Sequence, residues 1–129
     1  MKRSLHPTEH QEQTALFKMA ELYHGKYPEL RTMFAIPNHW QGGIGRGRYL
    51  RAEGQRGGVP DIFLPVARNG WHGCFIELKR PGGKVSASQM EWQEALTNQG
   101  YLARICWSAE EAIRTIEAYL RMGNGRPNS

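Results

Sequence analysis

The sequence predicts a mixed α/β domain, a small mixed sheet flanked by helices, in the order helix, three strands, helix, strand, helix. Three observations carry that expectation. Thr8 with Gln11 and Ser86 with Gln89 have the spacing of capping boxes, and each pair stands just before a stretch of helical periodicity. Two short apolar runs are joined through Arg68-Asn69-Gly70, and Asn-Gly accepts the positive φ of a tight hairpin turn. A further apolar run over 101–107 follows the second helical stretch, and Ser108 with Glu111 opens a third.

The first helix is expected over 9–23, with Glu9, Gln13, Leu16, Ala20 and Tyr23 recurring on one face. Glu9 and Gln13 continue the apolar face that packs on the core, where polar groups need partners. Tyr27-Pro28 ends this region. Residues 32–36 read as a first strand closed by Pro37. Residues 38–47 are glycine-rich and punctuated like a loop, and 48–53 form one or two helical turns ending near Gly54. The second strand is expected over 61–66 and the third over 74–79. In the third, Phe75, Glu77 and Lys79 share one face, and Cys74, Ile76 and Leu78 the other. The second helix runs to about Gln99 with Gly100 as its C′ residue, and its inner face includes Gln89, Trp92 and Leu96. The last helix turns Ala112, Ile113, Ile116 and Leu120 inward. A single domain is expected over 1–122, followed by a flexible tail over 123–129 that has no apolar anchor.

At 129 residues the chain fits one domain with a modest core. No apolar stretch approaches the length of a membrane span, and no apolar segment follows the basic N-terminus, so neither a membrane protein nor a secretory signal is expected; the cytoplasm is the default compartment. Cys74 and Cys106 lie in apolar runs without zinc spacing and read as small buried thiols. Seventeen Lys and Arg against 12 Asp and Glu leave a net charge of +5, which favours a polyanionic partner such as nucleic acid. Arg46, Arg48, Arg51 and Arg56 lie close together among glycines, as a phosphate-binding loop or as a solvated one.

The chemistry sits in Gly58-Val59-Pro60-Asp61 followed, sixteen positions after the aspartate, by Glu77-Leu78-Lys79. Folding the hairpin about Asn69-Gly70 brings Asp61 across from that second stretch. Carboxylates bind Mg²⁺ through oxygen, and Mg²⁺ supplies a Lewis acid and an activated water. A neighbouring lysine can orient that water and stabilise developing negative charge. The same three residues would also make a cross-strand salt-bridge cluster.

These residues, in this order, resemble the virus-type replication-repair nuclease domain (VRR-NUC), a branch of the PD-(D/E)XK, or restriction-endonuclease-like, superfamily. Glu9 through Gln13, Ile36-Pro37-Asn38, Gly57 through Asp61, Phe75 through Lys79, Ser86 through Gln89 and Gly100-Tyr101 carry the resemblance. It implies a Mg²⁺- or Mn²⁺-dependent nuclease of DNA repair or replication. The stand-alone form is typical of bacteriophages and similar to Holliday-junction resolvases; a phage origin would place the chain in the bacterial host cytoplasm. By the same resemblance Asp61, Glu77 and the carbonyl of Leu78 hold the metal, with Glu9 as a first-helix acid supporting it and Glu12 its rival. Lys79 positions the water, and Gln89 braces the site. The family loop often reads Asn-Gly-Gly, whereas here His39-Trp40-Gln41 separates Asn38 from Gly42-Gly43.

The expected activity is structure-selective endonucleolytic cleavage of DNA, with branched DNA as partner, a homodimer as assembly, and Arg46, Arg48, Arg51 and Asn38 as DNA contacts. The alternatives are a silent nucleic-acid-binding module of the same fold and a flap or general repair nuclease. Trp92 and Trp107 are expected in the core. Trp40 and Trp71, near loops, are better placed to stack on bases. His10 and His39 show no metal spacing and read as structural or surface residues.

Overall fold

The computed structural model describes residues 7–37 and 51–123. Gln11 N–H donates to Thr8 Oγ1 at 3.1 Å and Thr8 N–H to Gln11 Oε1 at 2.9 Å, the reciprocal bonds of a capping box. Helix α1 (Glu9–Leu22) starts there and buries Glu12, Leu16 and Ala20. A 3₁₀ turn at Pro28–Thr32 follows, with proline in its first turn, where the missing N–H costs no bond. This turn absorbs Thr32, so strand β1 is only Phe34–Ala35, shorter than expected.

Strand β2 (Ile62–Leu64) stops where Pro65 cannot donate to a ladder, two residues before the expected end. Arg68 and Trp71 bridge across the turn, with Asn69 at φ 48° and Gly70 at φ 85° as Asn-Gly predicts. Strand β3 (Cys74–Leu78) returns antiparallel to β2. Helix α2 (Ala87–Asn98) begins with the Ser86–Gln89 capping box and ends in a Schellman motif. There Gly100, at φ 91°, donates to Thr97 O and Tyr101 to Leu96 O. Strand β4 (Leu102–Cys106) pairs parallel with β3, so α2 is the crossover a parallel pair requires. Helix α3 (Ala109–Leu120) closes the fold from its Ser108 N-cap.

The sheet order is β1-β2-β3-β4, antiparallel except for the last pair. Strand alternation sends Ile62, Leu64, Cys74, Ile76 and Leu78 to one face. There they pack with Leu16 and Ala20 of α1 and with Ala112, Ile113, Ile116, Tyr119 and Leu120 of α3. All the apolar residues expected to face inward on the last helix are thus used by the chain's own core. Helix α2 packs against β4 and buries no residue fully, so Gln89, Trp92 and Leu96 are only half-buried.

Both thiols are buried and free, and burial raises Cys74 to about 12 and Cys106 to about 11, leaving them unreactive. Trp71 packs against the core, whereas Trp107 is 37% exposed, reversing their expected placements. At the hairpin end, Tyr119 Oη donates to Val66 O at 2.6 Å, and Arg68 reaches both Glu29 and Leu120 O. Asn69 N–H also holds Gly123 O at 2.9 Å, so the first residue of the expected tail is tied down. Residues 124–129 lie outside the described residues, as do 48–50 of the expected 48–53 turn, of which 51 and 52 are helical.

Candidate active site

Asp61 precedes β2 directly, and the β2–β3 register that pairs Ile62 with Ile76 brings Asp61 opposite Glu77 when extended by one residue. Two backbone bonds hold the corner. Ile36 N–H donates to Asp61 O at 2.6 Å, and Leu78 N–H donates to Asp61 Oδ2 at 2.8 Å. Lys79 follows β3, with its N–H on Cys106 O at 2.8 Å. The three charged side chains are buried: Asp61 is 7% exposed, Glu77 2% and Lys79 8%. A salt-bridge cluster on a solvated sheet face would be wet, so this burial argues against that simpler reading.

Glu77 carries the electrostatic strain of the site. Desolvation first, then the charge and hydrogen bond of Asp61, raise its carboxyl from 4.5 to about 9 against the opposing charge of Lys79. Gln89 Nε2 donates to Glu77 Oε2 at 3.2 Å. The other oxygen, Glu77 Oε1, is buried and has no hydrogen-bond partner. Gln89 does two jobs with one amide: its Oε1 accepts from Ser86 N–H in the capping box, and its Nε2 braces the carboxylate. The sequence marked Gln89 but could not distinguish capping from bracing; the structure has both.

The two first-helix acids separate. Glu9 Oε1 lies 3.7 Å from Lys79 Nζ. Glu12 is buried, and its Oε2 accepts from Ala109 N–H at the start of α3, where the helix dipole favours a carboxylate. Glu9 therefore faces the site and Glu12 ties two helices together. Gly58 was quoted only as part of a motif, and its role is close approach: at φ 87° it lies against α2, where an added Cβ would sit 2.3 Å from Ser88 Oγ. Arg51 is exposed, whereas Asn38, Arg46 and Arg48 fall outside the described residues.

Among the described residues no three His, Cys, Asp or Glu side chains cluster as a metal cage. Mg²⁺ does not require one, since it uses one or two carboxylates and completes its shell with water and substrate phosphate. Asp61, Glu77 with its partnerless Oε1, and the Leu78 carbonyl are the oxygen donors such a cation takes. The residues present fit the ion.

The fold is a four-stranded mixed sheet flanked by three helices among the described residues. Residues 11–110 match the VRR-NUC domain, and the chain belongs to that family, which implies a nuclease-type function. A solved structure described as a VRR_NUC domain protein superposes with a TM-score of 0.79 at 24% sequence identity, over 92% of this chain and 93% of that one. No curated protein matches the chain. No helix among the described residues is long and apolar enough to cross a membrane.

Proposed function

We propose that this chain is a structure-selective DNA endonuclease that uses Mg²⁺, with Mn²⁺ as a substitute, and cuts phosphodiesters at branched DNA in the manner of a Holliday-junction resolvase, as a homodimer. The observation that carries the reading is the buried Asp61–Glu77 pair, with Glu77 Oε1 partnerless and Lys79 beside it. Burying two carboxylates together is costly unless something positive joins them.

Asp61, Glu77 and the Leu78 carbonyl would hold the cation, with Glu9 as a further acid at the edge of the site. When bound, the ion stabilises charge on the phosphate and lowers the pKa of water. Lys79 donates hydrogen bonds from Nζ, either to the attacking water or to a phosphate oxygen where charge develops. Glu9 orients that ammonium, and Gln89 fixes the Glu77 carboxylate through Oε2, leaving Oε1 as the oxygen that would meet the cation. Arg46, Arg48 and Arg51, with Asn38, hold the DNA backbone and position it without reading bases. The expected products are a 5′-phosphate and a 3′-hydroxyl, as the family resemblance implies.

A plasmid-nicking assay tests the core of the proposal. Nicking that needs Mg²⁺ or Mn²⁺, stops with EDTA and vanishes in Asp61→Ala supports it. Binding with no cutting under any divalent cation replaces it with the silent binding module.

A further inference from the structure

Trp107 stands where the candidate site meets solvent. It is the residue after β4, and β4 runs parallel to β3 with Cys106 beside Leu78. Because Lys79 N–H donates to Cys106 O, the register carries on by one residue and puts Trp107 beside Lys79 at the end of the sheet. The indole is 37% exposed and is no part of the hydrophobic core. Among the described residues it stacks on no other ring, unlike Phe63, Phe75 and Tyr101 toward the other end of the same strands. Its backbone is nevertheless held: Trp107 N–H donates to Glu111 Oε2 at 3.1 Å, and the next residue, Ser108, caps α3. A large aromatic ring is thus presented to solvent from a fixed backbone next to the lysine of the site.

We infer that Trp107 is a stacking platform for an unstacked nucleobase next to the scissile phosphate, so that the DNA taken at this site has a base with an exposed face at the cut. The inference deepens the nuclease reading above and rests on it. Every base offers a π-face, and stacking on aromatic side chains is how single-stranded nucleic acid is gripped without reading sequence. In continuous duplex both faces of a base are covered by its stacked neighbours, so the indole finds a free face only where stacking is interrupted, at a branch point or an unpaired nucleotide. The surrounding charges fit this orientation. Lys79, Arg80 and Lys84 lie on the β3–α2 side, where phosphates gain. Glu110 and Glu111 stand in the first turn of α3, which follows Trp107 and Ser108, and Glu111 Oε2 accepts from Trp107 N–H, so the charge beside the indole is acidic and disfavours a phosphate more than an uncharged base.

The test is fluorescence anisotropy in EDTA, which keeps the DNA intact, with two probes: a duplex carrying one unpaired 2-aminopurine, and the same duplex fully paired. Trp107→Ala is expected to weaken binding to the first roughly 5- to 150-fold, the range for one lost base–aromatic stack, and to leave the second unchanged. Trp107→Phe should restore most of the loss, which a folding defect would not allow. The 2-aminopurine should be quenched by wild type and not by Trp107→Ala. Equal loss on both probes, or no loss on either, overturns the inference. Wild-type protein that binds both probes but never cuts with Mg²⁺ removes the nuclease reading, and the stacking result is still read from the binding data. If wild type binds neither probe, both readings fall.

Discussion

Asp61 and Lys79 are the residues whose loss should separate chemistry from binding. In the proposed mechanism both act on the reacting phosphate or on what is held beside it, and neither belongs to the arginine-rich segment proposed to hold the DNA backbone. Asp61→Ala and Lys79→Ala are each expected to lower cleavage by about 10²- to 10⁴-fold while DNA affinity in a gel shift stays close to wild type. Wild-type-like cutting by either variant removes that residue from the site. Glu77 makes a different prediction, about stability. Its carboxyl is raised from 4.5 in the unfolded chain to about 9 when folded, so the folded state holds a proton that the unfolded state releases between those values. Its contribution is therefore fully present below about pH 4.5, is lost as pH rises, and is gone by about pH 9. Glu77→Gln cannot ionise, so in EDTA its melting temperature should gain on wild type steadily from pH 5 to pH 8, as calorimetry can follow; parallel curves would contradict the burial argument. Asp61, Glu77 and Lys79 were legible in the sequence because an Asn-Gly turn and strand alternation suffice to bring them together. The split between Glu9 and Glu12 was not. Both lie in the first turn of one helix, and only the position of Ala109, far along the chain, shows which of them is occupied with capping.

Among the elements, α2 matters most to the site because its first turn carries Gln89. Its seat is Gly58, so Gly58→Ala should drive the loop and the helix apart at Ser88 and displace Gln89 from Glu77. Cleavage is expected to fall more than stability, since α2 buries no residue fully and can shift at modest cost. Activity and melting temperature measured on the same preparation decide this, and unchanged activity would show that the close approach is incidental. Helix α3 depends instead on its first turn. Glu12→Ala removes a buried cap and should cost about 1–2 kcal/mol by denaturant unfolding, with Glu12→Gln milder because an acceptor remains. Helix starts were readable because a capping box is a local device, and all three N-caps fall where the sequence puts them. Strand ends were less so: β1 loses Thr32 to a 3₁₀ turn, and β2 stops at Pro65 although its apolar pattern runs on to Val66. Trp107 was misplaced for a related reason. An apolar residue at the end of an apolar run reads as core, and only the β3–β4 register, set by a helix-length crossover, shows that it lies past the strand at the open end.

At the scale of the whole molecule the proposed junction cleavage needs two cuts, whereas each chain would bring one carboxylate–lysine corner. A four-way junction is nearly two-fold symmetric, and a two-fold dimer presents two equivalent sites to matching strands. The last helix cannot supply the interface, because Ala112, Ile113, Ile116 and Leu120 are all taken into the chain's own core. Exposed apolar side chains lie elsewhere: Leu22 and Tyr23 follow each other at the end of α1, and Met122 lies just past α3. Arg121 Nε donates to Tyr27 Oη, so these two helix ends lie on the same side of the molecule. Glu9 is at the opposite end of α1, which means that pairing through this region would leave both sites open to DNA. Light scattering at micromolar concentration is expected to report about twice the 14.7 kDa chain mass, and Leu22→Glu to shift it toward the monomer. Binding to a four-way junction should then exceed binding to linear duplex of the same length, and the Leu22→Glu monomer should nick a junction on one strand without resolving it. A wild-type monomer that cuts junction and linear duplex equally would reassign the chain to the flap or general repair nucleases, with the Asp61–Glu77–Lys79 chemistry unchanged.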